Sequence, residues 1–158
     1  MQHASRRGVF FAGAALALAL AGCTGAPTRP DKMPPEGRDL ARRLGLAAEV
    51  VVFSRVAEVV EAVKTGRADF TITNATAARA LEVDFTPPLV ALELGYLSLP
   101  GARVLDGRWG LEQLAIAVPK GRGVAAEYLR RYAEQVRTEG LVRAAAERAG
   151  LRGTTELR

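Results

Sequence analysis

The chain is poor in the residues on which much protein chemistry depends. It has one histidine (His3), one cysteine (Cys23), one tryptophan (Trp109) and two methionines. His3 and Cys23 both lie at the N-terminal end, so from Thr24 onward there is neither imidazole nor thiol. That excludes a disulfide framework. It also excludes a Ser-His-Asp triad, a Cys/His nucleophile, histidine acid–base catalysis and a zinc site built on Cys or His. Lysine is scarce too, at Lys32, Lys64 and Lys120, so the basic residues are nearly all arginine. These arginines are scattered among glutamates, with no basic stripe and no RNA-binding aromatic motif, and a nucleic-acid partner is not expected. The available carboxylates Asp69, Glu82, Asp84 and Asp106 form no catalytic constellation, so the reading is not an enzyme. No cofactor and no metal is implied.

No apolar run is long enough to span a bilayer as a mature helix. The longest, Val9 to Leu20, follows Arg6 and Arg7 and reads as the apolar core of an export signal. It ends in Leu20-Ala21-Gly22-Cys23, which resembles a bacterial lipobox. The expectation is cleavage after residue 22 and lipid on Cys23, with several acyl chains holding the protein stably to a membrane. Ser5-Arg6-Arg7-Gly8-Val9-Phe10 also resembles a twin-arginine signal, leaving Sec and Tat export both open. Removing Arg6 and Arg7 takes two positive charges from a formal net charge of +5 and leaves +3. Residues 24–37 carry Pro27, Pro30, Pro34 and Pro35 without periodicity and read as a tether. The expected division is 1–22 signal peptide, 23–37 lipidated cysteine and tether, and 38–158 folded domain.

The folded part alternates its periods. Leu40 and Leu44 share a helical face that Gly45 can cap. Glu49 to Phe53 is a short β-branched run, read as a buried parallel strand. Val56, Val59, Val60 and Val63 fall at i, i+3, i+4 and i+7, one apolar face of a helix that Gly66 can end. Phe70 and Ile72 alternate with Thr71 and Thr73 as a strand. Asn74 or Thr76 can then cap a helical turn over Ala77, Ala78, Ala80 and Leu81, from which Arg79 projects. Val83 to Thr86 is extended and is stopped by Pro87 and Pro88. Leu89 to Leu99 is apolar enough for a strand, Pro100-Gly101 marks a turn, and Val104 is a possible short strand. Leu114 to Val118 reads as a buried strand. Helices follow over Val124 to Thr138 and Leu141 to Ala149, separated at Gly140. Helix–strand alternation of this kind predicts an α/β fold with a mostly parallel sheet of about four strands and flanking helices. Trp109, Tyr128 and Tyr132 are candidates for a ligand surface, though such aromatics more often belong to the core.

Three motifs in register carry a resemblance. Gly66-Arg67-Ala68-Asp69, Thr76-Ala77-Ala78-Arg79 and Asp84-Phe85-Thr86-Pro87-Pro88 resemble the bacterial extracellular solute-binding proteins of family 3. Ala115-Ile116-Ala117-Val118-Pro119-Lys120-Gly121 and Glu139-Gly140-Leu141 are similar to that family's C-terminal part. The resemblance implies a single periplasmic-binding-protein-like lobe and a substrate-binding component of an ABC importer. The implied partners are an amino acid or small carboxylate, an ABC permease and, through Cys23, a membrane. It implies that Arg79 clamps a ligand carboxylate, with Thr76 and Asn74 beside it; a planar guanidinium suits a carboxylate better than a lysine does. The implied location is the periplasmic side of the cell envelope.

The departures are as informative. Gly95-Tyr96-Leu97 passes almost directly into Leu99-Pro100-Gly101, where relatives cross into a second lobe. The family's first strand is also missing, its place taken by the tether. Binding by one lobe should be weaker by orders of magnitude, at millimolar affinity or below detection. A second copy could rebuild a cleft. The competing expectation is a one-lobe remnant or adaptor lipoprotein of the same fold that binds a protein partner and no solute.

Overall fold

The computed structural model describes residues 16–17, 33–98 and 103–155. The lipobox and Cys23, most of the export signal and the tether up to Lys32 lie outside the described residues.

In chain order the elements are β1 (Leu16–Ala17), α1 (Pro35–Leu44), β2 (Val51–Val52), α2 (Val56–Lys64), β3 (Thr71–Asn74), α3 (Ala77–Ala80), β4 (Val83–Phe85), β5 (Val90–Leu94), β6 (Leu97–Ser98), β7 (Arg103–Val104), β8 (Gly110–Pro119), α4 (Gly123–Thr138), α5 (Leu141–Arg148) and β9 (Thr154–Thr155). The main sheet has five strands in the order β3-β8-β5-β9, with β4 also paired to β8.

The expected α/β fold with flanking helices is present, but the sheet is not mostly parallel. β8 runs against β3, β4 and β5, and β9 runs against β5, so every pairing in the sheet is antiparallel. The cause lies in residues 95–109. The chain leaves β5, makes the small β6–β7 ribbon and returns at once as β8. A short return between neighbouring strands forces them antiparallel, whereas a parallel pair needs a longer crossover. β3, β4 and β5 still point the same way, because each opposes β8.

Glu49 to Phe53 also departs from expectation. Only Val51–Val52 is a strand, and it pairs antiparallel with Leu16–Ala17 instead of joining the main sheet. Val50 and Val51 are nonetheless buried, in a cluster with Met33, Val59, Val63, Val83 and Ala117. Packing against α2 satisfies this apolar run without a ladder to β3.

β8 divides the core between two helical layers. Ala117 points into the α2 cluster, whereas Ile116 and Val118 point into a second cluster with Leu40, Phe70, Leu89, Leu129, Tyr132 and Val136. Alternation along a strand sends successive side chains to opposite faces. With both faces covered, Ala115 to Pro119 is continuously buried. Tyr132 is thus a core residue, and its hydroxyl donates to the Glu36 carbonyl. Tyr128 packs half-buried against the same cluster, and Trp109 is 61% exposed. Thr86 joins β4 to β5 across β8. Its amide donates to the Ile116 carbonyl at 2.9 Å, and its hydroxyl accepts from the Ile116 amide at 3.1 Å. Among the described residues no helix is long and apolar enough to cross a membrane.

Candidate ligand-binding site

The site grows from the end of β3. Thr71 and Thr73 face one side of the sheet opposite Ala117 and Ala115, while Ile72 and Asn74 face the other opposite Ile116 and Leu114. The ladder runs one step past the strand, with the Ala75 amide donating to the Gln113 carbonyl at 2.8 Å. The chain then turns into α3. Of the two candidate caps, Thr76 is the one used: its hydroxyl accepts from the Arg79 amide at 3.3 Å. A side-chain oxygen there satisfies a first-turn donor that has no intrahelical partner.

This cap aims Arg79 back over the strand. Nη1 donates to Thr73 Oγ1 at 3.1 Å and to the Asn74 carbonyl at 3.0 Å. Asn74, Thr76 and Arg79 therefore come together, through different groups. Asn74 supplies its carbonyl, Thr76 its capping hydroxyl and Arg79 its guanidinium. The β3 register sends the Asn74 side chain to the opposite face from Thr73.

Electrostatically, Arg79 differs from other arginines of the chain. Arg42 and Arg43 pair with Asp39, Arg55 with Glu58, Arg108 with Glu93, and Arg130 with Glu127 and Glu134. Among the described residues no carboxylate pairs with half-buried Arg79; its partners in the structure are neutral oxygens. One edge of a guanidinium is thus fixed while the planar fork keeps further N–H donors for an oxyanion.

Of the carboxylates considered at the outset, Glu82 and Asp69 lie beside basic residues, and Asp106 is exposed in the loop before β8. Glu82 pairs with Lys64 at 2.9 Å. Asp69 lies 3.8 Å from Arg122, and Asp84 sits on β4 opposite Val118, at the far end of β8. Among the described residues no group of three or more His, Cys, Asp or Glu is placed to hold a metal ion. A cavity of about 700 Å³ lies elsewhere, between β5, β9 and α4–α5; Leu89, Arg137, Val142, Arg143 and Thr154 help to line it. It does not include Arg79.

What reasoning on sequence missed is β8 beyond Leu114. The strand extends back to Gly110, and Leu111 and Gln113 emerge from it exposed. No periodic signal marked this extension, because Leu111-Glu112-Gln113-Leu114 reads apolar, polar, polar, apolar and does not alternate.

No family model matches the chain, and no curated protein matches it in sequence. Solved structures do match its fold. A binding component of an ABC transporter from Wolinella succinogenes, complexed with lysine, superposes at a TM-score of 0.64 with 12% identity, covering 89% of this chain and 93% of the other. The solute receptor for L-cysteine of Neisseria gonorrhoeae gives 0.66 and 16%, covering 89% of each. An arginine-bound mutant of domain 1 from TmArgBP gives 0.51 and 18%, covering 82% of this chain and 92% of the other. The fold is that of the periplasmic amino-acid-binding proteins of ABC transporters.

Proposed function

We propose that this protein is a lipid-anchored substrate-binding component of an ABC importer for amino acids or similar small carboxylates. Cys23 carries the lipid, an ABC permease is the membrane partner, and the folded domain works on the periplasmic side of the envelope. The observation that carries the reading is Arg79. It is a half-buried guanidinium, pinned by Thr73 and the Asn74 carbonyl at the end of a sheet strand, with no acidic partner among the described residues. A group so placed is preorganised for a ligand carboxylate, since its rotamer is set before binding.

The relatives in fold support a solute ligand, and the arginine-bound domain 1 is support for binding by a single domain. A site with one wall leaves much of the ligand in water, so the expected affinity is weak, around millimolar. A binding role agrees with the residues available, because the chain after Cys23 has no histidine or thiol for catalysis.

A second reading is an adaptor of the same fold that binds a protein partner. It is favoured by the exposed apolar side chains of Tyr96, Leu105, Trp109 and Leu111 on and beside the β5–β8 extension. Thermal melting with a panel of amino acids and small carboxylates separates the two. The importer reading expects an upward shift with a carboxylate ligand that disappears in Arg79→Ala. A cooperative melt that no ligand moves at millimolar concentration would favour the adaptor.

A further inference from the structure

Given the reading of Arg79 as the carboxylate clamp, β8 fixes what can sit at the ligand's other end. The Ala75–Gln113 hydrogen bond sets Ala75 opposite Gln113, one step along the ladder from the Asn74–Leu114 pair. Residues of one parity share a face, so the Gln113 side chain lies on the face that carries Thr73 and Ala115. Gln113 is the diagonal neighbour of Thr73, and diagonal neighbours of an antiparallel pair lie about 7–8 Å apart, with their Cβ atoms somewhat closer. Arg79 Nη1 rests on the Thr73 hydroxyl at 3.1 Å. The Gln113 amide and the Arg79 guanidinium are thus within the length of one small solute.

The same face changes character along β8. Ala117 and Ala115 are fully buried, Gln113 is exposed, and Leu111 is 47% exposed. Gln113 and Leu111 contribute little to the core, yet they continue the wall on which Arg79 lies. This wall belongs to the strand that returns from residues 95–109.

The charges near this wall are accounted for. Glu93, opposite Leu111, pairs with Arg108 at 2.9 Å. Glu112 faces the other side of the sheet, opposite Leu92. Glu82 is held by Lys64. A ligand anchored at Arg79 therefore meets a neutral amide next, since of the two carboxylates on the flanking strands Glu93 is paired with Arg108 and Glu112 lies on the other face.

We propose that Gln113 is the specificity-determining residue of this site, and that it selects neutral polar amino acids, bearing an amide or hydroxyl, over cationic ones. The amide both donates and accepts, so it can pair with a ligand amide or hydroxyl in two directions. A ligand lysine or arginine side chain would approach Arg79 with only Gln113's carbonyl oxygen to receive it.

The test is calorimetric titration of the detergent-solubilised, cell-processed protein with glutamine, serine and lysine, on wild type, Arg79→Ala, Gln113→Leu and Gln113→Glu. Folding of each variant is checked by its melt. Glutamine is expected to bind at least tenfold more tightly than lysine. Gln113→Leu should weaken glutamine about tenfold, the value of one hydrogen bond. Gln113→Glu should reverse the order, favouring lysine, because it supplies the missing carboxylate. Arg79-dependent glutamine binding that neither Gln113 variant changes would overturn this inference and leave the importer reading standing. Tighter binding of lysine by the wild type would also overturn it. Absence of binding by any of the three ligands, with no effect of Arg79→Ala on the melt, would overturn both.

Discussion

The two halves of β8 are built for different work. From Ala115 to Pro119 every residue is buried, held by α2 on one face and by α1 and α4 on the other. From Gly110 to Leu114 the strand alternates between exposed and half-buried residues. The inner half is uniformly apolar, and the outer half carries Glu112 and Gln113. Arg79 stands at the boundary, beside Thr73 opposite Ala115. One strand thus anchors the core and extends past it as an open wall. The lesson is that rigidity at a site can come from an element whose other end cannot move without breaking the core.

The comparison breaks most visibly at Ile116. It is fully buried, and Ile116→Ala should cost about 2–5 kcal/mol of stability by denaturant unfolding. A cost below about 1 kcal/mol would mean that the inner half is not packed as described. Thr86→Val is the next largest. It removes a hydroxyl that accepts from the Ile116 amide and leaves that buried donor unpaired, for an expected loss of about 1–3 kcal/mol.

The layer under the inner half also gives a pH signature. Burial raises the Glu36 carboxyl above its ordinary value of 4.5, partly offset by its own backbone hydrogen bond and by the attraction of Arg148. The folded state then holds a proton that the unfolded state has released. Stability therefore declines as pH rises from about 4.5 through the raised folded value, and this contribution is flat above it. Glu36→Gln should remove that decline and stabilise the protein at neutral pH, as read from melting midpoints across the acid range. A decline that persists unchanged in Glu36→Gln would assign it to other groups.

The outer half should behave in the opposite sense. Gln113→Leu and Leu111→Ser sit on exposed wall, and each should change stability by no more than about 0.5 kcal/mol. Larger losses would make this wall part of the core after all.

The sequence made the parts with strong local period legible. The four valines of α2 announce one buried face, and Gly45 and Gly140 take the positive φ that ends or begins a helix. The grouping of Asn74, Thr76 and Arg79 was legible because strand, cap and helix follow within a few residues. Other features depend on distant partners. Ala115 to Val118 is apolar in either direction, so its composition says nothing about whether β8 runs with or against β3. Glu49 to Phe53 has the chemistry of a sheet strand, and only tertiary packing against α2 keeps most of it out of a ladder. Thr154–Thr155 forms β9 because β5 offers a free edge, which two threonines after Gly153 do not signal. The role of Gln113 depends on register, which becomes readable only when β3 and β8 are set side by side.

The central claim is that Arg79 holds a ligand carboxylate. The direct measurement is a calorimetric cycle that titrates one amino acid and its carboxamide, which lacks the carboxylate, into wild type and Arg79→Ala. The account predicts that the amino acid binds wild type at around millimolar affinity and the carboxamide at least tenfold more weakly, with the difference gone in Arg79→Ala. The same preference for the carboxylate in both proteins would place the carboxylate elsewhere and contradict the account.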